Sequence, residues 1–87
     1  MELPGADLVD RGIADLTLHR ETPEALLVSI GAPRLRMLGV SVPEAFPQPE
    51  HRLYALLADE DVDAAHSRYN ALVRRLVSYE RAVATAH

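Results

Sequence analysis

The sequence contains no cysteine, which excludes disulfide bonds and thiolate-bound metal as sources of stability. It also contains no lysine, so all nine basic residues are arginine. Thirteen acidic residues outnumber them and give a formal net charge of −4 at pH 7. Broad electrostatic attraction to nucleic acid or to an anionic membrane needs a basic surface, so this balance disfavours both partners. A local patch of arginines is still compatible with it.

Long apolar runs are also missing. No apolar run approaches the ~20 residues that a helix needs to cross a bilayer. The N-terminal stretch MELPGADLVDRG carries acids where a secretory signal has a basic start followed by an apolar segment. We therefore predict a cytoplasmic protein without membrane association.

A chain of 87 residues predicts a single domain, residues 1–87. A chain this short buries only ~60–65% of the surface that it exposes when unfolded, so its core is thin. Hydrophobic periodicity predicts an all-α fold: a small bundle of about four helices with a long C-terminal helix and a Pro-rich connector. The expected helices cover residues 6–19, 23–31, 49–58 and 61–86, and the connector covers residues 39–48. Because so small a core gives limited stability, self-association is an expectation from the start.

The first helix has an inner face at Val9, Ile13 and Leu16. Gly12 lies within that helix, where glycine lowers helix stability by ~1 kcal/mol relative to alanine. Since glycine has no side chain, we expect another backbone to approach the helix closely at this residue.

The second helix has a clear beginning at Thr22-Pro23-Glu24, since Thr caps helices, Pro suits the first helical position and an acid favours the positive end of the helix dipole. Gly31, followed by Pro33, predicts its end. The apolar run LLVSI, residues 26–30, is also compatible with a buried strand.

The connector contains Pro43 and Pro47, and its one phenylalanine, Phe46, is expected to pack back onto the core. After the third helix, Asp61 or Asp59 is expected to cap the fourth.

The fourth helix has the most regular pattern in the chain. Its apolar positions alternate at spacings of three and four, and the expected interaction stripe consists of Tyr69, Leu72, Leu76, Tyr79 and Val83. A third helix of about ten residues covers only the first half of a fourth helix of about twenty-five. The second half therefore needs cover from the first helix, the second helix or another copy of the protein. This mismatch predicts a non-catalytic, homo-oligomerising interaction or regulatory module, with a dimer or another protein partner favoured.

A row of polar residues follows the same helix. His66, Asn70 and Arg74 are spaced four residues apart, and His51 is expected at a similar level on the third helix. Together they form a candidate polar or anion-binding site, in which arginine pairs with a phosphate and the other side chains donate hydrogen bonds. The alternative is a solvated face with ordinary surface pairs.

Arg34 and Arg36 follow Gly31 in a segment with the outline of a helix-turn-helix, which would present both arginines to nucleic acid. A nucleic-acid-binding regulator that uses this helical corner is therefore the alternative function.

No catalytic or metal-binding motif is present, because the four histidines are scattered and no glycine-rich phosphate loop occurs. We therefore predict no cofactor, no metal and no catalytic residue. The spacing of Arg81 and His87 resembles that of HEPN-type ribonucleases, but Ala82 replaces the polar residue usual after the arginine, and the chain is not assigned to that family. A small helical or RNase-like enzyme is the third interpretation.

Overall fold

The structure, a computed structural model, describes residues 2–86 and confirms the all-α fold. Its helices are α1 (Ala6–Thr17), α2 (Pro23–Met37), α3 (Pro49–Glu60) and α4 (Ala65–Ala86). No β-strand occurs within the described residues, so the alternative of a buried strand at residues 26–30 is wrong. Over the same residues, none of the helices combines the length and the apolar character needed to cross a bilayer.

Helix α1 ends at Thr17, two residues earlier than predicted. His19 adopts a left-handed conformation with φ 57°, and the amide of Arg20 donates to the carbonyl oxygen of Asp15 at 2.8 Å. This hydrogen bond closes the helix in the way that usually employs a glycine. Because histidine occupies the left-handed position, the sequence carries no recognisable stop signal there.

The contact between α1 and α2 depends on Gly12, as expected. A Cβ atom at this residue would overlap the carbonyl oxygen of Glu24 and the side chain of Val28. The predicted start of α2 is also confirmed, since the Thr22 hydroxyl accepts a hydrogen bond from the amide of Ala25 at 3.1 Å. The two helices therefore pack backbone against backbone at the first turns of α2.

The predicted end of α2 is wrong, because the helix continues through Gly31 and Pro33 to Met37. Gly31 is buried against the side chain of Leu76 on α4, so tertiary packing holds it in the helix despite its low propensity. The helix ends instead before Gly39, which has φ 89°. A glycine is therefore the stop signal, but it is the second one in the segment.

Helix α2 is the most buried element and contacts each of the other three helices. Its buried residues are Ala25, Leu26, Leu27, Val28, Ser29, Gly31, Ala32 and Leu35. A helix that is covered on most sides needs apolar or small residues nearly all round, which is why this segment resembles a buried strand in sequence.

The connector spans residues 38–48 in the structure, and hydrogen bonds attach it to α2. Phe46 is half-buried against the core, as predicted, and its amide donates to the Ser29 hydroxyl at 3.1 Å. The Arg36 guanidinium donates to the carbonyl oxygens of Val42 and Pro43, the latter at 2.7 Å. These bonds fix the path of the chain from α2 to α3.

Helix α4 begins at Ala65 rather than near residue 61. Asp61 caps the preceding turn rather than α4 itself, since its Oδ1 accepts hydrogen bonds from the amides of Asp63 at 3.1 Å and Ala64 at 3.3 Å. Val62, which lies within the predicted range of the fourth helix, is part of this turn and is 72% exposed.

The second half of α4 is covered within one molecule. Leu76 is 4% exposed and Val83 is 6% exposed. Helices α1 and α2 provide the cover, and Gly5 and Gly31 let their backbones come close to α4. The expectation that this apolar edge exceeds what its own chain can cover is therefore wrong, and the support it gave to dimerisation is removed.

Candidate interaction surface

Leu72 is the member of the predicted interaction stripe that lines an open groove. Leu76 and Val83 are buried, and Tyr69 and Tyr79 are half-buried between helices. Leu72 lies where the cover given by α3 passes to that given by α1 and α2. The groove has a volume of about 250 Å³ and is lined by Arg68, Ala71, Leu72 and Arg75. We name it the Leu72 groove.

Two arginines line the Leu72 groove, and each forms an ion pair with an acidic residue outside α4. Arg68 pairs with Glu60 of α3 at 2.7 Å, and Arg75 pairs with Asp7 of α1 at 2.9 Å. The hydrogen bond from Arg75 holds the pKa of Asp7 below its ordinary value of 3.8. Because a guanidinium has five N–H donors, each arginine can still donate to an incoming carboxylate.

An acidic turn, residues 59–63, lies beside the start of α4, and all of its residues are exposed. Glu60 is engaged by Arg68 and Asp61 caps the turn. The carboxylates of Asp59 and Asp63 have no hydrogen-bond or ion-pair partner within residues 2–86. The turn therefore presents the apolar side chain of Val62 among carboxylates.

Charge is divided between α4 and the rest of the chain. Helix α4 carries four arginines and one acidic residue, a net charge of +3, whereas the remaining residues carry five arginines and twelve acidic residues, a net charge of −7. The one acid of α4, Glu80, is only 7% exposed. The outer face of α4 is therefore basic at Arg74 and Arg81, whereas Arg68 and Arg75 are paired with Glu60 and Asp7.

Glu80 is a buried carboxylate at the contact between α4 and α2. Its Oε2 lies 3.2 Å from the point where a Cβ of Gly31 would be. Burial raises the pKa of Glu80, and the positive charge of Arg34 on α2 opposes this shift. Sequence reasoning missed this residue, although it lies four positions after Leu76 and therefore on the inner side of the helix.

The candidate anion site is only partly assembled. His66 and Asn70 hydrogen-bond on the open surface, with 3.2 Å between the His66 Nε2 and the Asn70 Nδ2. Arg74 is exposed, and within residues 2–86 it has no hydrogen-bond or ion-pair partner. His51 is also exposed and lines a different groove, of about 510 Å³, with Gln48 and Glu50. The structure joins two of the four residues, and anion binding stays a prediction.

The predicted helical corner at Arg34 and Arg36 is absent, because α2 passes through this segment without a turn. Arg34 lies close enough to Glu80 to lower its pKa, and Arg36 is bound to carbonyl oxygens of the connector. Arg36 also borders an open groove of about 600 Å³ between α1 and the connector, where Ile13 and Val42 provide apolar walls. A helix-turn-helix presentation of these arginines to DNA is therefore wrong.

Tyr54 of α3 and Tyr69 of α4 pack ring against ring at the rim of the bundle. Their ring centroids are 5.9 Å apart with a tilt of 55°, a favourable arrangement for aromatic pairs. Burial raises the pKa of the Tyr69 hydroxyl, and the negative charge of Glu50 raises it further. The pair closes the first half of α4 against α3, so it contributes to packing.

Comparisons of the chain with protein-family models, with curated proteins and with solved structures find no match. The fold therefore defines a small helical bundle with open surface grooves, two of which are bordered by arginine. Arg81 is exposed on α4, whereas its proposed companion His87 lies outside the described residues. The ribonuclease interpretation stays at the level of a two-residue spacing.

Proposed function

We propose that the protein is a small cytoplasmic, non-catalytic interaction module with a regulatory role, and that it associates with a second copy of itself. The separation of charge between α4, at +3, and the rest of the chain, at −7, carries this proposal. A molecule with a basic side and an acidic side is electrostatically complementary to another copy of itself. Such complementarity accelerates encounter and fixes orientation.

The expected dimer is weak and reversible. Obligate dimers bury large apolar faces, but Leu76 and Val83 are already covered inside one chain. Contacts between exposed charges are screened by salt, with a Debye length of about 10 Å at 0.1 M ionic strength. Association is therefore expected to depend on ionic strength.

Sedimentation or light scattering tests this proposal. At concentrations up to about 0.5 mM, a range suited to weak dimers, the mass is expected to rise from 9.6 kDa towards twice that value in low salt. It is expected to return to 9.6 kDa in about 1 M salt, where the Debye length falls to about 3 Å. A mass of 9.6 kDa at every concentration in low salt would contradict the proposal.

Nucleic-acid binding through the outer face of α4 is the second candidate. It is favoured by Arg74 and Arg81, which are exposed and unpaired within residues 2–86, and by the exposed hydroxyls of Ser67 and Ser78 on the same face. Arginine and serine side chains are common donors to phosphate oxygens. These arginines replace the wrongly predicted corner as the candidate contacts.

A low-salt binding assay with labelled duplex DNA and single-stranded RNA tests the second candidate, because phosphate contacts are strongest there. The double variant Arg74→Glu with Arg81→Glu is expected to lose binding. The control, Arg11→Glu with Arg20→Glu, changes net charge equally at exposed arginines outside α4 and should bind like the wild type. Absence of binding by the wild type, or equal loss in both variants, would reject this face as the contact.

A further inference from the structure

We propose that the second copy docks reciprocally, with Val62 of each acidic turn inserted into the Leu72 groove of the other copy. This inference rests on the proposed function and specifies its interface. The occupant is a second copy because the chain itself presents both a groove of defined chemistry and a segment with the complementary chemistry.

The Leu72 groove selects one apolar side chain accompanied by carboxylates. It is lined by two apolar residues, Leu72 and Ala71, and by two positively charged ones, Arg68 and Arg75. Its volume of about 250 Å³ gives room for a side chain rather than for a helix. Ion pairs with Glu60 and Asp7 hold both arginines in place before a ligand arrives, which reduces the entropy lost on binding.

The acidic turn has the features that this groove selects. Val62 is 72% exposed, so its side chain gains from burial when it enters an apolar groove. Asp59 and Asp63 flank it with carboxylates that no residue in 2–86 engages. A hydrogen bond to a guanidinium is stronger when the acceptor is a carboxylate, so the flanking acids fix the orientation of the inserted valine.

A chain cannot insert Val62 into its own groove. Residues 65–72 are a continuous part of α4 and rise by about 1.5 Å per residue, which holds Leu72 about 10 Å along the helix from its start. The turn is in addition held by its Asp61 cap. The contact therefore has to be made between two molecules.

A two-fold arrangement makes both contacts together. If two α4 helices run antiparallel with Val62 opposite Leu72, the axis passes near Ser67, an exposed small residue. In that register the acidic turn of one copy faces the level of Arg74 and Arg75 in the other. In that register Arg68 lies one residue from the axis in both copies, where its ion pair with Glu60 of its own chain limits the repulsion between the two arginines.

The first experiment compares two exposed apolar residues. Val62→Ser removes the inserted side chain, and Met37→Ser removes an apolar side chain that is 82% exposed at the other end of the bundle. We expect Val62→Ser to raise the dimer dissociation constant at least about tenfold and Met37→Ser to change it less than about twofold, since burial of one valine corresponds to about that factor. Thermal unfolding of both variants should match the wild type.

The second experiment blocks the groove and tests reciprocity. Ala71→Glu places a carboxylate on the groove floor at an exposed helical position, so it should prevent self-association without unfolding the protein. In a mixture of the two variants, Ala71→Glu supplies an intact acidic turn and Val62→Ser supplies an intact Leu72 groove. Partial recovery of dimer in the mixture, with monomer in each sample alone, is the expected result.

The outcomes separate the two proposals. A monomeric wild type at all concentrations in low salt overturns the proposed function and this interface together. A wild-type dimer that Val62→Ser and Ala71→Glu leave intact overturns only the interface. Equal weakening by Val62→Ser and Met37→Ser would also overturn it, since the effect would then not depend on which exposed apolar side chain is removed.

Discussion

The two halves of α4 are packed in different ways. From Arg75 onwards, α1 and α2 approach it closely through Gly5 and Gly31, and Leu76 and Val83 are almost fully covered. Before Leu76, it packs on the shorter α3, with a tyrosine pair at the rim and Leu72 in an open groove. Tight backbone approach in one half provides stability, whereas incomplete cover in the other half leaves a surface available to a partner.

Truncation of one leucine in each half should separate these roles most clearly. Leu76→Ala is expected to lower the free energy of unfolding by about 3 kcal/mol, because it empties a fully packed position. Leu72→Ala should cost roughly 1 kcal/mol, since its side chain is only half-buried. Urea denaturation measures both losses. Equal losses would mean that the two halves are not packed differently.

The close approach of α1 to α4 can be tested by substituting two glycines and comparing the loss of stability. Gly5→Ala is expected to cost about 2 kcal/mol or more, because φ is 76° and the new Cβ would lie 2.7 Å from the carbonyl oxygen of Arg75. Gly39→Ala has φ 89° but open space around it, so it should show only the backbone cost of about 1 kcal/mol. Chemical denaturation of both variants gives the difference, and its absence would argue against close packing at Gly5.

Substitution of Glu80 tests whether the covered half of α4 contains a buried carboxylate. Its folded-state pKa is raised above the ordinary 4.5 by burial, so the folded protein holds the proton more tightly than the unfolded chain. Stability from this residue is therefore highest below pH 4.5 and is lost as the pH rises through the raised pKa. Glu80→Gln should remove this loss and gain stability over the wild type towards neutral pH.

Unfolding free energies measured from about pH 4 to about pH 8 check this expectation, because this window runs from the ordinary pKa of a carboxyl group to well above it. Glu44→Gln, at an exposed position, serves as the control and should follow the wild type across the series. A Glu80→Gln variant that is parallel to the wild type at every pH would show that the carboxylate is not desolvated.

The smallest effect is expected at the wall of the Leu72 groove. The pKa of Asp7 is lowered by its hydrogen bond from Arg75, so the stability it contributes is present above pH 3.8 and is lost as the pH falls through the lowered pKa. Asp7→Asn should flatten the acid side of the stability profile slightly, as measured by thermal unfolding below pH 4.5, about the upper edge of that titration. Asp10→Asn, on the same helix without an ion pair, is the control.

Fold class and helix number were predictable because α1, α3 and α4 have a repeating apolar pattern and α2 has a recognisable N-terminal cap. The start of α2 was also predictable, since Thr22-Pro23-Glu24 acts locally. Its end was not, because Gly31 and Pro33 are both valid stop signals in isolation. Packing of α2 against the other three helices keeps it continuous, and the contact of Gly31 with Leu76 of α4 joins residues far apart in sequence.

The candidate surface was only partly predictable. The periodicity placed Leu72 on the apolar side of α4, but it could not show that α1 and α2 cover Leu76 and leave Leu72 half open. It also placed residues 61–64 in the fourth helix, because four residues of turn are indistinguishable in sequence from one more helical turn. The separation of charge could have been found in the sequence by counting the charged residues of α4 separately from those of the rest of the chain.

The hydrogen bond between Arg75 and Asp7 joins residues 68 positions apart. It therefore closes a loop that includes most of the chain, and closing such a loop costs more conformational entropy than pairing adjacent helices. We expect α1 and α2 to form their contact early in folding and the docking of α4 onto α1 to come last. The arginine walls of the groove would then be completed only in a fully assembled molecule.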